Sequence, residues 1–220
     1  LTNRERRAAE LEDELAQATA RRDRAAAKVG AARRAAAPKL AAEVEGRLAA
    51  LAMPQATLQI EVGEEDPGDR VEFRLAANPG IDPAPLQRAA SGGELSRVLL
   101  ALRLVLSGGP DTMVFDEVDA GIGGATALEV GRALAEVAEG SQVLVVTHLA
   151  QVAAHADQQV RIAKSIGEEA TTTTVEPVDG EARLAELARM LSGTPDSTAT
   201  RSNAEELLAR ASRPAVAERH

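Results

Sequence analysis

Cysteine, tryptophan and tyrosine are absent from the 220 residues, and phenylalanine occurs only twice. Without thiols, disulfides are excluded, as are cysteine-ligated zinc, iron–sulfur clusters and thiol chemistry, in keeping with a reducing compartment. Phe73 and Phe115 both sit in strand-like apolar runs where core packing is their role, which excludes an aromatic platform for stacking nucleic-acid bases. No apolar run approaches the roughly 18 residues that a bilayer-spanning helix needs, and no charged-then-apolar leader opens the chain. The expectation is a cytoplasmic protein. Lysine is scarce as well: Lys28, Lys39 and Lys164 follow Ala27, Pro38 and Ala163, so no lysine follows a glycine. That excludes a phosphate loop of the form G-x-x-x-x-G-K-[ST], whose lysine reaches the β- and γ-phosphates. The chain opens on Leu1 rather than methionine, and the expectation is the C-terminal portion of a longer protein whose phosphate loop lies upstream.

What is present is an ordinary folding composition, 45% hydrophobic and 27% charged, with no sign of wholesale disorder. The net charge of −9 is unevenly spread. Residues 1–39 carry ten basic and six acidic groups, a net of +4, which leaves −13 for the remainder. The acidic remainder repels nucleic acid, so the basic N-terminal arm is the better candidate for any contact with DNA, although a charge run on a helix also serves simply as a solvated face.

Between Leu1 and Val29 there is neither glycine nor proline, and heptad a/d positions fall on Leu1, Arg4, Ala8, Leu11, Leu15, Ala18, Arg22, Ala25 and Val29. A helix of that length reaches about 40 Å, which suits a coiled-coil arm, with an alanine-rich seam that calls for an antiparallel partner strand. Gly30 and Pro38 are expected to interrupt the arm, giving an arm over 1–39. Leu40, Val44, Leu48 and Leu51 then form the apolar stripe of a second helix ending at Pro54 and docking on a globular lobe, residues 40–211. Leu58–Val62 and Val71–Leu75 alternate apolar and polar around G-E-E-D-P-G-D, the pattern of a half-buried antiparallel hairpin. Apolar runs at Thr112–Phe115 and Gln142–Thr147, with helical segments Leu95–Leu106 and Gly124–Ala138, predict a mostly parallel sheet covered by helices on both faces, hence an α/β fold. A helix to Ala156, strands near Gln159–Lys164 and Thr171–Val178, and helices Glu181–Leu191 and Asn203–Ala211 complete the lobe, with residues 212–220 as a frayed tail.

Ser91 to Arg97 read S-G-G-E-L-S-R and open an apolar helix. Glycine lets an anion approach closely and a helix start carries partial positive charge, so the backbone N–H groups there suit a phosphate. Asp111 to Gly124 then read D-T-M-V-F-D-E-V-D-A-G-I-G-G, a strand ending in the adjacent carboxylates Asp116 and Glu117, which suit a metal ion and a water beside that phosphate. His148 stands where the next strand ends, and ligands of open parallel sheets bind outside the carboxyl ends of strands. In this arrangement Asp116 would hold Mg²⁺, Glu117 would orient and deprotonate an attacking water, and His148 would donate a hydrogen bond to the transferring phosphoryl group. Taken singly, each has a plainer reading: a capped helix, a solvated acidic turn, a structural histidine. Their order along the chain is what points to a nucleotide half-site.

The run L-Q-R-A-A-S-G-G-E-L-S-R, the segment V-F-D-E-V-D-A-G-I-G-G, the stretch V-T-H-L-A-Q-V-A-A-H-A-D, the threonines Thr171 to Thr174, the A-N-P-G loop at Ala77 to Gly80 and the ending A-E-L-A-R-M-L-S-G resemble the RecN family of bacterial DNA double-strand-break repair ATPases, relatives of SMC proteins. The resemblance covers nearly the whole chain and implies the C-terminal lobe of an ABC/SMC-type ATPase head with a coiled-coil helix ahead of it. It implies that Ser91, Gly92, Gly93 and Glu94 act as the signature, contacting the γ-phosphate of ATP on an opposite head. Asp116 takes the Walker B metal role for Mg²⁺, Glu117 the base role, Asp119 the D-loop role and His148 the switch role. The implied partners are an N-terminal Walker A lobe of the same protein, a second head in a homodimer, and DNA in the full-length protein, with no membrane; the implied location is nucleoid-associated in the cytoplasm. Without its Walker A loop the isolated chain is expected to be inactive and prone to association through uncovered strands. The other reading is a structural or dimerisation module that keeps these residues and hydrolyses nothing. A transporter nucleotide-binding subunit fits less well, because such subunits carry the phosphate loop where this chain has an arm and a hairpin.

Overall fold

The computed structural model describes residues 3–106, 108–166, 171–192 and 197–211. The tail expected over 212–220, Leu1 of the heptad register and Gly193 of the A-R-M-L-S-G ending lie outside the described residues. The chain forms two compact units, one of Leu1–Gly46 with Gln55–Ala90, the other of Arg47–Pro54 with Ser91–His220.

Most of the first unit is helix α1, Asn3–Ala50, with the hairpin that follows it. The interruption expected at Gly30 and Pro38 does not occur, for both lie inside one continuous helix of 48 residues. An internal proline forfeits one backbone hydrogen bond and crowds the preceding turn, but long-range contacts on both sides of Pro38 hold this helix in place. Upstream, Arg33 donates to the Pro67 carbonyl (3.1 Å) and to Asp69 (2.6 Å), and Arg34 donates to the Gly63 carbonyl (3.1 Å) and to Asp66 (2.6 Å). Downstream, the Leu58 N–H donates to Glu45 Oε1 (2.7 Å). Gly30 serves the same docking: a Cβ there would stand 2.1 Å from Asp66 Oδ1 and would push that carboxylate away from Arg34. Strands β1 (Thr57–Val62) and β2 (Val71–Ala76) pair antiparallel with Leu58 opposite Leu75, and the short β3 (Ala84–Pro85) adds to β2. Leu58 and Leu75 are buried in this unit together with Ala37, Ala41 and Val44. The N-terminal half of α1 is almost wholly exposed, Leu11 and Leu15 included, and Val29 just beyond it is exposed as well. A four-residue helix, α2 (Leu86–Ala89), closes the unit.

In the second unit, α3 (Gly92–Val105), β4 (Thr112–Phe115), α4 (Gly124–Val137), β5 (Gln142–Val145) and α5 (Ala150–Ala153) follow in order. Strands β4 and β5 pair in parallel, Thr112 opposite Gln142 through Phe115 opposite Val145. This is the one parallel pair among the described residues. β6 (Gln159–Ile166) and β7 (Thr171–Val178) pair antiparallel. The mostly parallel sheet expected from the sequence is therefore confined to two strands, because strands joined by short connections pair antiparallel and each further parallel neighbour needs its own crossover. Both-face coverage is not found either: Val114, 67% exposed, shares an open face with its partner Leu144 and with Val146, while Phe115 is buried on the opposite face. Of the predicted stripe, Val44, Leu48 and Leu51 are buried and Leu40 is half-buried. Helices α6 (Gly180–Ser192) and α7 (Thr198–Ala211) pack on α5 through Ala150, Ala153, Leu184, Leu187, Ala204 and Leu207.

Candidate functional site

The signature helix start is built locally. Ser91 caps α3: its hydroxyl accepts from the Glu94 N–H (3.4 Å), and the Ser91 N–H donates to Glu94 Oε2 (2.8 Å). This reciprocal capping box satisfies two orphan backbone donors and fixes where the helix begins, three residues earlier than the apolar stripe alone predicts. Gly92 and Gly93 thus become its first two residues.

The acidic strand end lies against that start. Glu117 adopts φ 55°, an uncommon left-handed conformation for a residue with a Cβ, which costs roughly 1–2 kcal/mol. The turn this makes is closed by the Ala120 N–H donating to the Glu117 carbonyl (2.9 Å). It brings the Glu117 carboxylate so close to the helix start that a Cβ on Gly92 would stand 2.6 Å from Oε2. A carboxylate there is favoured by the helix macrodipole. Gly93 is enclosed by more atoms, backbone among them: an added Cβ would meet Ala120 Cβ at 2.8 Å, the Glu117 carbonyl at 3.0 Å and Arg97 at 3.2 Å.

Two further residues of α3 tie the helix to the same loop. Ser96 Oγ donates to the Asp116 carbonyl (2.8 Å), and Arg97 donates through one terminal nitrogen to the carbonyls of Ala120 (2.9 Å) and Val118 (3.3 Å). Arg97 is 6% exposed, and its burial pushes the guanidinium pKa below the ordinary arginine value, an effect that the charge of Glu94 opposes. On the far side of the loop Asp119 is 3% exposed and its Oδ2 accepts from Thr147 Oγ1 (2.5 Å) and the His148 N–H (3.1 Å), with His148 Nδ1 at 3.2 Å. The His148 ring itself is 74% exposed.

The residues singled out from sequence therefore fall into two joined groups: Ser91, Gly92, Gly93 and Glu94 with Glu117, and Asp119 with His148. Among the described residues no hydrogen bond or ion pair links His148 to Asp116 or Glu117. Ser96, Arg97 and Thr147 were not given roles from sequence. Arg97 could have been noticed as a charge directly ahead of the apolar run Val98–Leu102 of its helix, whereas nothing local marks Ser96. Asp116 and Glu117 are exposed at the strand end. No cluster of three or more His, Asp or Glu able to hold a metal ion occurs among the described residues. The site is an open surface; the concavities of about 430 Å³ beside Pro38 and Ile60, and of about 270 Å³ beside Arg103 and Ser141, lie elsewhere.

No family model matches the chain. Individual proteins do. The chain is 44% identical over 216 residues to DNA repair protein RecN of Streptomyces coelicolor, covering 86% of this chain and 38% of that protein. It is 42% identical over 231 residues to DNA repair protein RecN of Mycobacterium tuberculosis, covering 93% of this chain and 38% of that one. The chain belongs to the RecN family, matching its C-terminal part. It spans about 38% of the length of these relatives. Among solved structures, the Smc head domain with a coiled coil and joint from Pyrococcus yayanosii superimposes with a TM-score of 0.52 at 23% identity, covering 70% of this chain and 29% of that one. This RecN-family chain accordingly has an α/β fold of the SMC-head type, C-terminal part, with a helical arm ahead of it. No helix among the described residues is long and apolar enough to cross a membrane.

Proposed function

We propose that this RecN-family chain is one half of the ATP site of a DNA repair ATPase, completed by a Walker A lobe of the same full-length protein and by a second head. The observation that carries the reading is the contact between the glycine-started signature helix and the acidic strand end through Gly92 and Glu117, on an open surface. Residues of that chemistry, left exposed, suit a site formed between two surfaces.

In this reading the N–H groups of Gly92 and Gly93 and the hydroxyl of Ser91 receive the γ-phosphate of ATP held on the opposite head, where the helix start favours negative charge. Glu117 orients a water and takes its proton as the water oxygen bonds to phosphorus and the bond to the ADP oxygen breaks. His148 donates a hydrogen bond to the departing phosphoryl group, with Asp119 holding its ring. Asp116 would hold Mg²⁺. Its carboxylate is exposed at the end of β4, and carboxylate oxygens are the donors that such an ion takes. When bound, it neutralises charge on the phosphates.

Residues 1–39 supply one strand of an antiparallel coiled coil and residues 40–211 the head lobe; the exposed Leu11, Leu15 and Val29 support a partner strand on the arm. The uncovered face of Val114, Leu144 and Val146 is where the Walker A lobe would pack, which accounts for apolar side chains in water. The basic arm is the part suited to DNA. The test is the full-length protein with Glu117→Gln: turnover is lost while ATP-dependent dimerisation persists. Absence of turnover in the unsubstituted protein as well would make this a non-hydrolysing dimerisation module.

A further inference from the structure

Arg97 is not used by the mechanism above, yet it is the most unusual side chain near the site. It is 6% exposed, no ion pair among the described residues includes it, and its Nε is buried without a hydrogen-bond partner. A cation buried this way is costly to desolvate, and specific hydrogen bonds must compensate it. What it does make is specific: two hydrogen bonds to the carbonyls of Val118 and Ala120, which flank Asp119. Its other end is the signature helix itself, one turn after Gly93, whose missing Cβ leaves the guanidinium room at 3.2 Å. Asp119 in turn holds Thr147 Oγ1 and the His148 N–H. A continuous chain of contacts therefore runs from the helix start through Arg97 and the 117–120 loop to His148.

Resting on the half-site reading, we propose that Arg97 is a positioning residue that couples the Ser91–Gly93 helix start to the Glu117–Ala120 loop and His148, so that phosphate capture at one composite ATP site sets the geometry of the other. The helix start serves the ATP of the opposite head while Glu117 and His148 serve this head's own, and Arg97 is the rigid link between them. One guanidinium nitrogen donates to both carbonyls. A lysine keeps the charge and the donors but not the fixed planar geometry that places them, and a methionine leaves both carbonyls without their donor.

The experiment compares full-length protein carrying Arg97→Met or Arg97→Lys with the unsubstituted protein, in ATP turnover across ATP concentrations and, in the Glu117→Gln background, in ATP-dependent dimerisation by gel filtration with light scattering. Arg97→Met is expected to lower kcat roughly ten- to a hundredfold, as for an element displaced by about 1 Å. The Hill coefficient falls to about 1 as the sites uncouple. The ATP concentration for half-maximal dimerisation stays within about twofold, since the phosphate-binding helix start is untouched. Arg97→Lys lies between. Unchanged kcat and Hill coefficient in both variants would overturn the proposal, as would a parallel loss of dimerisation and turnover, which marks a folding role alone, or the absence of cooperativity in the unsubstituted protein. Should Arg97→Met fail to fold, Arg97→Lys decides by the same criteria. If the unsubstituted protein shows no turnover and Glu117→Gln traps no dimer, the half-site reading and this proposal fall together; trapped dimers with indifferent Arg97 variants sink only the latter.

Discussion

Gly92 and Gly93 are neighbours in sequence and equivalent by propensity, yet replacing each with alanine should have opposite effects on stability. A helix gains about 0.5–1 kcal/mol when glycine becomes alanine, because the unfolded chain loses conformational freedom. At Gly92 the new methyl meets only the end of a flexible side chain, Glu117 Oε2 at 2.6 Å, which can swing into solvent. At Gly93 it meets Ala120 Cβ at 2.8 Å and the Glu117 carbonyl at 3.0 Å, both attached to the tight 117–120 turn, so backbone must move. Overpacking of that kind costs about 1–3 kcal/mol. The net expectation is a Gly92→Ala chain as stable as the original or more so, and a Gly93→Ala chain roughly 1–2 kcal/mol less stable. Urea unfolding followed by far-ultraviolet circular dichroism, at one low protein concentration and with matched m values, measures the difference. Equal midpoints for the two variants, or a more stable Gly93→Ala, would refute the packing described around the helix start. Turnover of the full-length protein adds a second readout: Gly92→Ala, though stable, displaces Glu117 and should lose most of its ATP hydrolysis.

Gly30→Ala should leave global stability nearly unchanged, because the helix gain of up to about 1 kcal/mol offsets the loss of an exposed ion pair. The added Cβ displaces Asp66 from Arg34, however, so hydrogen exchange across residues 63–70 should accelerate, and unchanged exchange would count against the docking. Leu187, fully buried among the α5, α6 and α7 residues, should cost about 3 kcal/mol on replacement by alanine, read as a shift in the urea midpoint. Val114→Glu with Leu144→Lys places an opposite-charge pair across β4 and β5 on their open face; self-association of the chain in sedimentation velocity should fall, while the full-length protein should lose ATP turnover if an upstream lobe covers that face.

Elements whose cause is local could be read from the sequence. The S-G-G-E run contains both partners of its capping box within four residues, so the start of α3 and the position of Gly92 and Gly93 at it follow from spacing alone. The alternation of Leu58, Ile60 and Val62 and of Val71, Phe73 and Leu75 likewise pointed to the hairpin, whereas its register, Leu58 opposite Leu75, came only with the structure. The helix through Pro38 did not follow, since proline's penalty is a local rule and the bonds that override it join residues 33 and 34 to the loop 63–69 and Glu45 to Leu58. The parallel strands were legible as apolar runs, but a run does not say whether both faces find partners, and here one remains open.

For the candidate site the division has the same origin. The kinds of group, a bare helix start, two carboxylates and a histidine at strand ends, were written in residue type and order. Which of them touch was decided by folding: the left-handed turn at Glu117 that lays its carboxylate on Gly92, the buried reach of Arg97 to the carbonyls around Asp119, and the grip of Asp119 on His148. Sequence specifies chemistry through side-chain identity and short-range geometry, whereas contacts between residues some twenty to thirty positions apart exist only once helices and strands have packed and excluded water from between them.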